Sequence, residues 1–131
     1  MFRSKLGKEE RGQALTEMAL VLPLLLLLVF GVTEMGRVGY AYITVNNAAR
    51  AGARVASVGG DDTAIRDAVL QAAPALDPTL LDIEISPSFA QRQSGQNTTI
   101  SVNYPVQLII PVVQGFPNPV LVGASLSMRL E

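Results

Sequence analysis

The sequence predicts an α+β protein: a long N-terminal helix that crosses a membrane and continues outside it, packed there with a short helix and a small antiparallel sheet of about three strands. Three observations predict this. From Met18 to Val32 every residue except Pro23 and Gly31 is a large apolar residue or Ala. No proline interrupts Thr33 to Ser57, where small and apolar residues recur at helical spacing. Beyond Asp77-Pro78 the pattern changes to period two, the mark of strands with one buried face.

The first element is the apolar run. A helix rises about 1.5 Å per residue, so roughly 20 apolar residues cross a hydrocarbon core of about 30 Å. Ala14 to Val32 supplies 19 positions, and Thr33 and Glu34 close the run. Charge orients it. Residues 1–12 hold Arg3, Lys5, Lys8 and Arg11 against Glu9 and Glu10, a net +2, whereas the remaining chain has a net −3 and no Lys. A basic flank on the N-terminal side puts that end in the cytoplasm and the C-terminal part outside. Two plain readings compete. A secretory signal peptide needs a small-x-small cleavage site, and Gly31-Val32-Thr33-Glu34-Met35-Gly36 offers only a weak one. An uncleaved anchor needs nothing further.

Neither reading explains Glu17. A carboxylate in an apolar span costs about 2.5–3.5 kcal/mol at mid-membrane and marks a partner or a function. It lies five residues beyond Gly12, at the join between the basic leader and the apolar run. The pattern Gly-x-x-x-x-Glu in this position resembles the prepilin-peptidase site of type IV pilins. That resemblance implies cleavage between Gly12 and Gln13, with Glu17 as the fifth residue of the mature chain and a docking group for a neighbouring subunit's amino terminus. Glycine suits such a site because it lets backbone approach closely.

The resemblance extends along the helix. Arg11-Gly12-Gln13-Ala14-Leu15-Thr16-Glu17-Met18-Ala19-Leu20-Val21-Leu22-Pro23-Leu24-Leu25-Leu26 looks like the opening of TadE-like proteins. So does Gly36-Arg37, Tyr40-Ala41-Tyr42 and Asn46-Asn47-Ala48-Ala49-Arg50-Ala51-Gly52-Ala53-Arg54, and Ser125-Leu126-Ser127-Met128-Arg129 adds a loose match. TadE-like proteins are pseudopilins of the tight-adherence (Flp, type IVb) pilus apparatus. The major Flp pilin is much shorter and has Tyr after the Glu. Here Met18 follows Glu17 and a domain follows the helix, so the resemblance implies a minor pilin or pseudopilin with a pilin-like fold. Its partners would be membrane lipid, a prepilin peptidase, and other pilin and pilus-assembly subunits.

The helix is expected to continue to Gly59-Gly60. Pro23 removes one of its backbone hydrogen bonds and can kink it. Ala48, Gly52 and Ala56 form a ridge at i, i+4 and i+8, with Ala49 and Ala53 beside it. Such a ridge admits a close neighbour, either another subunit's helix or the chain's own sheet. Val38, Val45 and Val55 extend a similar face, and Tyr40 and Tyr42 are expected to pack. The organisation is therefore a leader over 1–12, a span over 13–34, an extramembrane continuation over 35–58 and an exported domain over 59–131.

In that domain Asp61-Asp62-Thr63 reads as a helix cap, followed by a helix over 63–73 with Ile65, Ala68, Val69 and Ala72 on one face. Ile83 and Ile85 alternate with Asp82 and Glu84 in a first strand from Leu81. Ala90 to Asn97 reads as a loop, and Thr99 to Ile110 as a second strand whose Pro105 sits at an edge or bulge. Val112 to Val120 reads as an irregular connection, and Val122 to Leu130 as a half-buried final strand.

Chemistry is sparsely represented. There is no Cys and no His, which removes thiol nucleophiles, imidazole bases and the common zinc sites. No nucleophile has a plausible base and no Gly-rich phosphate loop follows a strand, so no enzyme, cofactor, metal site or small-molecule substrate is expected. Asp61 and Asp62 suggest a helix cap before a cation site. A net charge of −1 leaves no basic face for nucleic acid.

Overall fold

The computed structural model describes residues 3–109, 115 and 117–131. Met1, Phe2, the expected strand end at Ile110 and much of the expected connection from Val112 lie outside the described residues. The order of elements is helix α1 (Arg3–Ser57), helix α2 (Asp62–Ala72), strand β1 (Asp82–Ser86), a 3-10 turn (Phe89–Gln91), and strands β2 (Asn97–Val106) and β3 (Val120–Arg129). The chain divides into two compact units, Met1–Met35 and Gly36–Glu131.

The first unit is helix. Among the described residues α1 alone is long and apolar enough to cross a membrane; an 18-residue window of it reaches a mean hydropathy of 2.4 with none of that window buried. Leu15, Leu20, Leu24, Leu28 and Val32 all face outward. An all-round apolar surface of this kind is stable only in lipid or against other helices. Pro23 lies inside the helix, which a membrane environment tolerates better than water does. The Thr33 hydroxyl donates to the Val29 carbonyl at 2.9 Å, so it carries no unmet donor toward the end of the apolar run.

In the second unit α1 changes character. Ala41, Val45, Ala48, Ala49, Ala53 and Ala56 are buried, and Asn47, Arg50 and Arg54 on other faces are exposed. The buried positions recur every three or four residues, so one narrow stripe faces the core. Gly52 lies in that stripe. A Cβ there would sit 2.6 Å from Val69 Cγ2 and 3.4 Å from both Ile65 Cγ2 and Ile100 Cγ2, so α2 and β2 approach the helix backbone directly. The helix ends in a Schellman motif: the Gly60 N–H donates to Val55 O at 3.0 Å and the Gly59 N–H to Ala56 O at 3.1 Å. Gly59 holds φ at 83°, the left-handed region that glycine enters at no steric cost.

α2 opens on Asp61, whose carboxylate accepts from the Ala64 N–H at 2.7 Å, and it buries Ile65 and Val69. The sheet is antiparallel in the order β1-β2-β3. Register sets Ile83 opposite Val102, Ile100 opposite Leu126 and Val102 opposite Ala124 on the core face. The outer face is polar at mid-sheet, where Ser101 and Ser125 share a hydrogen bond at 3.0 Å. Pro105 belongs to the central strand but lies beyond the end of β1, so only β3 flanks it and its missing N–H leaves no rung empty.

The remaining connections are tied by side chains. Thr79 gives both its N–H (2.9 Å) and its hydroxyl (2.7 Å) to Asp77 Oδ1. The hydroxyl first and the amide second hold the Asp77 carboxyl below the usual aspartate range. Arg92 has a side chain only 3% exposed. It donates to the Pro87 carbonyl (3.1 Å), the Gly60 carbonyl (2.8 Å) and the Asp62 carboxylate, and its guanidinium lies 5.7 Å from the Phe89 ring centroid. The segment expected as a plain loop from Ala90 thus contains this anchor, and β2 begins at Asn97.

Two substitutions test this packing. Gly52→Val should destabilise the second unit by about 1–3 kcal/mol through overpacking against Val69, read as a lowered midpoint in thermal unfolding of the detergent-solubilised chain. Arg92→Ala should cost about 1–3 kcal/mol, because it strands two carbonyls and a partly exposed carboxylate. Arg92→Lys should recover only part of that loss, since an ammonium cannot reproduce the guanidinium fork.

Candidate functional site

The residues expected at the processing site lie on two successive turns of α1. Gly12 has nothing within 4 Å of where a Cβ would stand, so packing gives no reason for glycine there. A glycine inside an exposed helix costs about 1 kcal/mol relative to Ala, which makes this turn easier to open. That matters because helical backbone starts at Arg3, and the Gly12–Gln13 bond lies within it.

Gln13 and Glu17 are four residues apart on one face, and Gln13 Nε2 donates to Glu17 Oε1 at 3.2 Å. Thr16 sits beside them, its hydroxyl donating to the Gly12 carbonyl at 3.0 Å. The three polar side chains and the Gly12 carbonyl therefore form one patch at the foot of the apolar run. The amide offers the carboxylate a donor that lipid would not, which offsets part of its desolvation. Sequence reasoning named Gly12, Gln13 and Glu17 but missed Thr16 and the Gln13–Glu17 bond. The i, i+4 spacing that generates both bonds was available to find them.

The ridge of Ala48, Gly52 and Ala56 is placed otherwise than the helix–helix role requires. Ala48 and Ala56 are fully covered within the chain's own unit, and Gly52 is packed on Val69, Ile65 and Ile100. Of the two uses foreseen for this ridge, the structure realises packing on the chain's own domain. Tyr40 and Tyr42 depart from expectation too: they are 56% and 53% exposed. They flank the buried Ala41 on either side, and one residue along a helix turns the side chain about 100°, away from the core stripe.

The acidic residues do not converge. Asp61 caps α2, Asp62 pairs with Arg92, and Asp82 and Glu84 are exposed on the outer face of the edge strand β1. Among the described residues no group of three or more potential ligands could hold a metal ion.

Comparison with known proteins bears on the N-terminal part. The family model described as TadE-like protein matches residues 12–54. No curated protein matches the chain, and no solved structure does. The match begins at Gly12, takes in Gln13, Thr16 and Glu17, crosses the apolar run and ends two residues before Ala56. The stretch that carries the polar patch, the apolar run and most of the small-residue stripe is the part of the chain similar to TadE-like proteins.

Proposed function

We propose that this chain is a minor pilin or pseudopilin of a tight-adherence type IVb pilus system, matured by a prepilin peptidase that cuts after Gly12. A TadE-like segment points to a protein associated with a Tad pilus, and pilin-type proteins of this family are in general not enzymes. The observation that carries the reading is the exposed carboxylate of Glu17 at the foot of an apolar run that is itself unburied, five residues beyond the glycine at which the family match starts.

In this reading the leader 1–12 stays in the cytoplasm and the domain lies outside. The apolar run holds the subunit in the bilayer until it joins or primes a filament. Cleavage creates an amino group on Gln13, one helical turn from Glu17, so positive and negative groups come to lie at the same membrane edge. In lipid such charges are stable only when paired, which makes Glu17 a docking group for the terminus of another subunit. With Ala48, Gly52 and Ala56 engaged in the core, contact between subunits falls to the apolar run and to the outer faces of the domain.

Intact mass of the protein recovered from membranes of the native host tests the cut. The expected mature chain starts at Gln13. A start at Met1 would instead make this a permanently anchored envelope scaffold, and a start near residues 33–36 a secreted domain. For docking, Glu17→Ala should leave membrane insertion unchanged and reduce pilus assembly severely, scored by comparing membrane and sheared-filament fractions. Normal piliation by that variant would remove Glu17 from assembly.

A further inference from the structure

The outer face of the sheet changes composition along its length. At one end Pro105 stands opposite Leu121, which is 73% exposed. The next pairs on that face are Asn103 with Gly123, Ser101 with Ser125, Thr99 with Ser127, and Asn97 with Arg129. On this face of the sheet, large apolar surface thus lies at the end where β2 stops and β3 starts. Ile109, just past β2, is 71% exposed at the same end. The sequence between the two strands adds to this: residues 110–116 read Ile-Pro-Val-Val-Gln-Gly-Phe, and no charged residue occurs from Gln93 to Met128. A water-facing turn between strands ordinarily carries Gly, Asn, Asp and Ser. Here Gly115 and Asn118 share the sequence with four large apolar residues, Ile110, Val112, Val113 and Phe116.

The same end is tied to the base of the unit's helix. Arg37 Nη2 donates to the carbonyl of Gln107 at 3.2 Å. Arg37 follows Val32, the last residue of the apolar run, by five positions. Five residues span about 8 Å as helix and at most about 18 Å fully extended. Chain connectivity alone therefore keeps Gln107 near the edge of any bilayer that the run crosses.

We propose that the end of the extramembrane domain bearing Ile109 and Leu121 rests on the membrane from which α1 emerges, with these side chains in the boundary between headgroups and acyl chains. The occupant of this apolar surface is phospholipid. Arg37, five residues past the apolar run, holds the root of the connection through the Gln107 carbonyl. Exposed Tyr40 stands one turn farther out, where an aromatic ring with a polar tip suits the interface. The inference rests on the reading that residues 13–34 span a bilayer.

The chain contains no cysteine, so a single introduced thiol carries a single label. The full-length chain is reconstituted into vesicles of phosphatidylethanolamine and phosphatidylglycerol as Ile109→Cys, Leu121→Cys or Ser127→Cys, each bearing an environment-sensitive fluorophore. Ser127 is the control, on the same face about 20 Å along the strand from Leu121. The expected result is blue-shifted emission at positions 109 and 121, strong quenching by spin-labelled lipid and several-fold weaker quenching by aqueous iodide than at 127. Equal iodide quenching at all three positions, with the chain still in the bilayer, overturns the proposal and leaves the span intact. Iodide protection without lipid quenching also overturns it, in favour of a second copy covering the patch. Release of the chain from vesicles by alkaline carbonate would sink the membrane span itself.

Discussion

A sheet of three strands and a helix of eleven residues bury too little surface to hold together alone, and both therefore depend on how closely they can approach α1. That approach is governed by side-chain size along one stripe. Ala48, Ala49, Ala53 and Ala56 project only a methyl group, and Gly52 projects nothing toward Val69 and Ile100. Packing attraction falls steeply with a gap of even half an ångström, so small residues on the helix allow the branched residues of α2 and β2 to reach full contact. The β-branched Ile65, Val69, Ile100 and Val102 are stiff and lose little rotamer freedom on burial, which suits them to that surface.

The same helix answers to two solvents. Before Thr33 its apolar side chains point in all directions; after Gly36 one stripe of small and apolar residues is buried, while Tyr40, Tyr42 and Ile43 stay exposed beside Asn47, Arg50 and Arg54. Each pattern is stable only where it is: lipid-facing leucines would be a liability beside the sheet, and the alanine stripe would be too weakly apolar to hold a bilayer. Glu17 is the carboxylate at the foot of the first part, and Gln13 one turn before it supplies a donor.

Much of this was legible in residue order. Periodicity located both helices and all three strands, and Gly59-Gly60 and Asp61 marked the termini between α1 and α2. Strand ends shifted by one to four residues because register, which periodicity does not contain, decides them: Asn97 joins β2 by pairing with Arg129, and Val120 joins β3 by pairing with Val106. The use of the Ala48–Gly52–Ala56 ridge was not legible, since a small-residue ridge suits a neighbouring subunit and an internal sheet equally. Arg92 was invisible for a related reason. Its partners, Gly60, Asp62 and Pro87, become neighbours only once α2 and β1 have folded back. The polar patch around Glu17 was half visible: spacing marked Gly12 and Glu17, and local helix geometry added Thr16.

One backbone contact sets where this domain can carry cargo. Glu131 donates its N–H to Ser57 O at 3.2 Å, so the last residue is fastened to the end of α1, and Leu130 is fastened to Gln96 close by. Arg37, at the other end of the unit's helix, lies twenty residues and about 30 Å from Ser57. Whatever polypeptide is fused after Glu131 leaves from the pole remote from Arg37, beside a capped helix end and clear of Ile109 and Leu121.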